Sequence, residues 1–138
     1  MNASLHRNIA VINGTVRGMG NNGISLYSDS SRVENIRAFS NRGIGIVAGT
    51  ASNNTSSNNG WSGIYAGTVN NNSSCHNVEA GIIANTAIGN TLWGNGGYGL
   101  QSLGGYANNV FNDNNGGGAQ VQGGIQMGVN VCNNASCP

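Results

Sequence analysis

The chain has 138 residues, 24 of them Gly and 26 Asn, with one Pro; charged residues make up 7%, Lys is absent and the formal net charge is +1. That length fits one domain with a modest core, and so little charge and Pro argues against disorder. Near-zero net charge gives nucleic acid or an anionic membrane no general attraction, and no apolar run reaches the ~18 residues of a membrane span.

In chain order, residues 1–8 form a leading segment, MNASLHRN, which lacks the apolar core of a secretory leader. The five Arg residues (Arg7, Arg17, Arg32, Arg37, Arg42) lie in the first third, and Asp29 and Glu34 flank Arg32 as a local ion pair. Beyond Arg42 the only acids are Glu79 and Asp113. The charges read as solvated groups on coil edges.

From Ile9 onward the chain repeats. NTSSNNGWSGI (54–64), NSSCHNVEAGI (72–82) and NTLWGNGGYGL (90–100) share one template: Asn, four residues, Asn, three residues, Gly, then Ile or Leu. Degenerate copies extend upstream through Asn35, Ser40 and Gly43, and through Asn13 and Gly23. Downstream they run through Asn109 and Asn114 to Gly124-Ile125, after the insertion NGGGAQVQG. After each Gly-Ile the apolar residues alternate: Ile24 and Leu26, Ile44 and Ile46, Ile64 and Ala66, Ile82 and Ala84, Leu100 and Ser102, Ile125 and Met127. A period of two marks short strands.

A single unit cannot bury its apolar face, whereas units stacked in parallel about 4.8 Å apart share a continuous core. The expected fold is therefore an all-β solenoid of about six coils: one domain, 1–138, with coils over 9–128 and a C-terminal tail over 129–138. Stacking aligns Asn35, Asn54, Asn72, Asn90 and Asn109 in one amide ladder and Asn59, Asn77 and Asn95 in another.

The unit N-x4-N-x3-G-I resembles the repeat of right-handed parallel β-helix proteins of the pectate-lyase-like superfamily. The tail GGIQMGVNVCNNASCP resembles the closing coils of bacterial secreted members. This resemblance implies right-handed coiling and an extracellular or periplasmic parent context. It implies little about activity, because the scaffold hosts lyases, hydrolases, epimerases and proteins without catalysis. Members usually carry a cap before the first coil, whereas here coiling begins near Ile9. The expectation is either a fragment of a larger protein or a homo-oligomer joined through its N-terminal end.

The frame then places the reactive residues. Cys75 and His76 are neighbours in an extended stretch and point to opposite faces, which disfavours a nucleophile and base pair. One Cys, one His and Glu79 do not make a zinc set, and nothing in the sequence requires a metal or cofactor. His76 shares a column with Asp113 two coils on, about 10 Å away by the stacking distance; the pair is the nearest approach to a catalytic acid and base. Cys132 and Cys137 could close a loop over the last coil as a disulfide in an oxidising compartment, or remain free thiols.

Trp61, Tyr65, Trp93, Tyr98 and Tyr106 are candidates for a sugar platform or for packing between turns. Ser31, Thr50, Thr68 and Thr86 form a hydroxyl column of the kind seen on ice-binding solenoids. The functional expectation is a non-catalytic scaffold or carbohydrate-associated module whose partner is polysaccharide. A polysaccharide lyase or hydrolase and an ice-binding solenoid are the alternatives.

Overall fold

The computed structural model describes residues 6–137. A part-coil at the N-terminus is one strand, β1 (Ala10–Arg17). Four coils follow, built from β2 (Ile24–Ser25) and β3 (Arg32–Phe39), β4 (Ile46–Ser52) and β5 (Thr55–Ser57), β6 (Ile64–Asn70) and β7 (Ser73–Cys75), then β8 (Ile82–Ile88) and β9 (Thr91–Trp93). The next coil holds β10 (Leu100–Ser102), β11 (Gly105–Ala107) and β12 (Val110–Asn112). After a 3-10 turn at Asn115–Gly117, the last holds β13 (Val121–Gln122), β14 (Ile125–Gln126) and β15 (Val131–Cys132), and β16 (Ala135–Ser136) returns against β15. The strand pairings are parallel except for β15 with β16. The chain is thus an all-β parallel solenoid of about seven turns, one more than the sequence count, because the segment after residue 128 completes a last coil.

Three faces enclose the core, and each contributes a column of inward side chains. The first face stacks Ile24, Ile46, Ile64, Ile82, Leu100 and Val121 in register. The second stacks Val11, Val33, Ala51, Val69, Ala87 and Tyr106. The third stacks Val16, Ala38, Ser56, Ser74, Leu92, Phe111 and Cys132. Between Ile24 and Leu100 the first column is fully buried. At about 25 cal/mol per Å² of apolar surface these stacked side chains supply the main driving force.

Two internal asparagine ladders close the corners. One runs Asn54, Asn72, Asn90, Asn109, Asn130; the other runs Asn41, Asn59, Asn77, Asn95, Asn114 and ends on Gln120. Each Asn Nδ2 donates to the Oδ1 of the Asn one coil on, at 2.7–3.1 Å. The backbone N–H of the same residue donates to that oxygen too, as from Asn54 to Asn72 at 2.9 Å. A second bond reaches back to a carbonyl of the preceding coil, as from Asn72 Nδ2 to Ala51 at 3.0 Å. These amides are almost wholly buried and satisfied, as burial demands.

Except before Asn130, the residue preceding a ladder Asn turns the corner in the left-handed region: Ser40, Asn53, Asn58, Asn71, His76, Asn108 and Asp113 at φ near +55°, and Gly89 and Gly94 at 68° and 62°. Asn35 belongs to this class. The ladder position of its coil is Ile36, whose N–H donates to Asn54 Oδ1 at 2.9 Å, so Asn35 is not a ladder residue. Likewise Asn41, and not Ser40, is the upstream member of the second ladder. This one-residue correction also puts Phe39 above Ser57 and Cys75, and Ser40 above Asn58 and His76.

Two other registers differ from expectation. The inward pair of the second coil is Ile46 and Ala48, with Ile44 in the turn before it. In the last coil Val121 continues the Leu100 column, whereas Ile125 pairs with Gly105 on the second face, leaving Ile125 and Met127 exposed. The glycines that matter are Gly45, Gly63, Gly81 and Gly99. A Cβ on Gly63 would collide with Ser74 Oγ and stand 2.6 Å from the Gly81 carbonyl. The segment read as a tail completes the last coil: Val131 pairs with Val110, and Asn130 ends the first ladder. The early part of the leading segment, Met1–Leu5, lies outside the described residues.

Candidate functional site

His76 and Asp113 occupy the same corner position two coils apart, with Gly94 between them. Both are turn residues with φ of 53° and 51°. The His76 imidazole lies over Gly94, where a Cβ would stand 2.9 Å from His76 Cδ2, and meets the Trp93 ring edge-on at 4.3 Å between centroids. Asp113 accepts a bond from Asn112 Nδ2 at 3.1 Å, and its N–H donates to Asn133 Oδ1. Among the described residues no hydrogen bond or ion pair joins His76 to Asp113. Among the described residues the one salt bridge is Arg32 with Glu34 at 3.4 Å, on the surface.

Cys75 faces the outer side of the third face yet is buried, and burial pushes its thiol above its ordinary value. A raised thiol pKa leaves little thiolate at neutral pH, which is the opposite of an activated nucleophile. Among the described residues no three His, Cys, Asp or Glu side chains converge as a metal set. No helix there is long and apolar enough to cross a membrane. Cys132 and Cys137 are joined by a disulfide with Cα atoms 4.8 Å apart. Both sulfurs sit in the core cluster with Phe111, so the bridge plugs the end of the third column.

The surface aromatics divide between faces. Trp61 and Tyr98 line one groove with Glu79, Ile83 and Gln101. Tyr65 lines an adjoining depression on the same face with Tyr27, Ile83 and Leu103. Trp61 is 63% and Tyr65 48% exposed. The first face therefore brings Trp61, Tyr65 and Tyr98 onto one side of the molecule. Its outward column, Val47, Tyr65, Ile83 and Gln101, supplies the floor.

Trp93 lies on the third face beside His76 and does not join them. Tyr106 points inward and is buried, so it is no platform residue. Tyr27, 61% exposed, stands beside the inward Leu26 and joins the Tyr65 depression; the alternating pattern picks out the inward residues of that coil and passes over it.

The hydroxyl column is shorter than its spacing promised. Thr50, Thr68 and Thr86 do stack on the second face, but Arg32 precedes them and Gly105 follows. Ser31 is turned inward, donating to the Ser28 carbonyl at 2.6 Å and accepting from Gly49 N–H at 2.9 Å. Its hydroxyl caps a turn.

No protein-family model matches the chain, and no curated protein or solved structure does. What the structure shows is the parallel solenoid itself, with stacked coils and asparagine ladders.

Proposed function

We propose that the chain is a non-catalytic solenoid scaffold whose first face holds a polysaccharide. The observation that carries this reading is the groove between Trp61 and Tyr98, floored by Ile83 and edged by Gln101 and Glu79. Sugar rings present apolar C–H faces that stack on aromatic rings, and amide or carboxylate groups beside the rings take up hydroxyl hydrogen bonds. Trp61 and Tyr98 stand about two coils apart, roughly 10 Å along the axis. An extended glycan running parallel to the axis would meet both rings. The buried disulfide between Cys132 and Cys137 supports an oxidising, extracytoplasmic setting for this activity.

Affinity electrophoresis across a panel of soluble polysaccharides tests the reading. At least one polymer should retard the protein, and Trp61→Ala with Tyr98→Ala should weaken that retardation about tenfold while leaving the circular dichroism unchanged. Retardation by none of them removes the reading. Release of reducing ends or unsaturated products, lost in His76→Ala with Asp113→Ala, would replace it with a polysaccharide lyase or hydrolase.

A further inference from the structure

The two ends of the solenoid differ. At the C-terminal end β16 pairs back on β15, the Cys132–Cys137 disulfide plugs the core, and Gln120 folds over the second ladder with its Nε2 donating to the Asn114 and Gly118 carbonyls. At the N-terminal end β1 pairs with β3 alone among the described strands. Its eight residues carry no Pro, and the one charged side chain among them is Arg17 at its end, so most of the edge lacks the usual devices that blunt an open strand.

The hydrogen-bonding groups on that edge can be assigned. Arg32 N–H donates to the Ile9 carbonyl at 2.8 Å, so that carbonyl points into the solenoid and the next N–H, of Ala10, points out of its end. Gly18 N–H donates to the Ser40 carbonyl at 3.2 Å, so the Arg17 carbonyl also points outward. Backbone groups alternate along a strand. Ala10, Ile12, Thr15 and Arg17 therefore present their N–H and C=O groups on the open edge. Val11 and Val16, the two half-buried members of β1, point inward. The corner between the two halves of β1 falls at Asn13 and Gly14.

We propose that this edge pairs with the same edge of a second copy, β1 antiparallel to β1, about a two-fold axis through the Asn13–Gly14 corner. In that register Ala10 lies opposite Arg17 of the second copy and Ile12 opposite its Thr15. Both are pairs whose edge groups point at each other, as hydrogen-bonded antiparallel pairs require. Val11 then faces Val16 of the second copy across a non-hydrogen-bonded position, so the inward column continues through the interface. A neighbouring register, shifted by one, would oppose outward groups to inward ones and bring a valine against a polar residue. The self-complementary patch is what a two-fold dimer needs.

Light scattering on the 138-residue protein tests the proposal. A concentration-dependent dimer is expected. Ile12→Lys, on an outward side chain, and Thr15→Pro, which removes one edge N–H, should each weaken it about tenfold or more with unchanged circular dichroism. Leu103→Lys, near the other end, should leave it intact. Val11→Cys combined with Val16→Cys should give an interchain disulfide on mild oxidation. A monomer at every attainable concentration overturns the proposal. So does a dimer that survives both edge substitutions, or one that Leu103→Lys abolishes.

Discussion

In the corner between β5 and the following turn, Asn58 and Asn59 are neighbours with unrelated tasks. Asn58 is exposed, with φ of 53°. Asn59 is buried and bonded to Asn41, Asn77, Ser56 and the Ala38 carbonyl. Asn58→Gly should leave stability within about 1 kcal/mol of the parent, because Gly adopts that backbone without strain. Asn59→Ala should cost about 3 kcal/mol or more, since it strands several buried groups at once; urea unfolding of both variants checks the contrast. The same duality explains why Asn35 misleads. An Asn at a corner is the turn residue or the ladder residue, and only the hydrogen bond from Ile36 to Asn54 shows which. His76 and Asp113 follow the same rule, since the turn position accepts Ser, Asn, His, Gly or Asp for their tolerance of positive φ, with no reference to chemistry. Cys75 gives a further test at this scale. Burial raises its folded-state pKa, so the folded state resists ionisation and stability should fall as pH rises past the unfolded thiol value of about 8.5. Below that pH the contribution is fully present. Unfolding measured between pH 7 and 9.5 should show the decline, and Cys75→Ala should reduce it.

Where the strands begin, a column of glycines lets side chains of the neighbouring coil approach the backbone closely. Gly63 sits where Ser74 and Asn77 approach the backbone, so Gly63→Ala should cost about 3 kcal/mol through forced displacement of both. Gly116, at φ of 60° with open space around it, should lose only about 1 kcal/mol on the same change. Thermal melts of the two variants decide between close approach and backbone conformation as the reason for glycine. The central strands were legible because three units keep a strict period of 18. The second coil offers two Gly-Ile dipeptides, Gly43-Ile44 and Gly45-Ile46, and only stacking under Ile64 selects the second. At the last coil the 3-10 turn and its glycines take up residues before β13, so Val121, and not Ile125, falls under Leu100. The aromatic groove was half legible. Trp61, Tyr65 and Tyr98 stand out by type, but which of them share a face follows from the coil geometry that also carries Tyr106 inward.

As a whole the molecule is a one-dimensional stack in which each coil contacts its neighbours, and its stability is a sum of coil and interface terms. The disulfide closes a short loop at one end, with a sequence separation of 5, which on chain-entropy grounds contributes about 2 kcal/mol. Reduction should therefore lower the unfolding midpoint modestly and open the C-terminal coil first; hydrogen exchange should increase at Val131 and Cys132 before it does at Ile64 or Ile82. The continuity of the two ladders through all the central coils is the feature on which the fold and the placement of the aromatic face both depend. Side-chain amide exchange measured by NMR reads it directly. The Nδ2 protons of Asn54, Asn59, Asn72, Asn77, Asn90 and Asn95 should be strongly protected, while those of Asn53, Asn58, Asn71 and Asn108 exchange freely with solvent. Equal exchange in the two sets would contradict the ladder and with it the stacked arrangement of the coils.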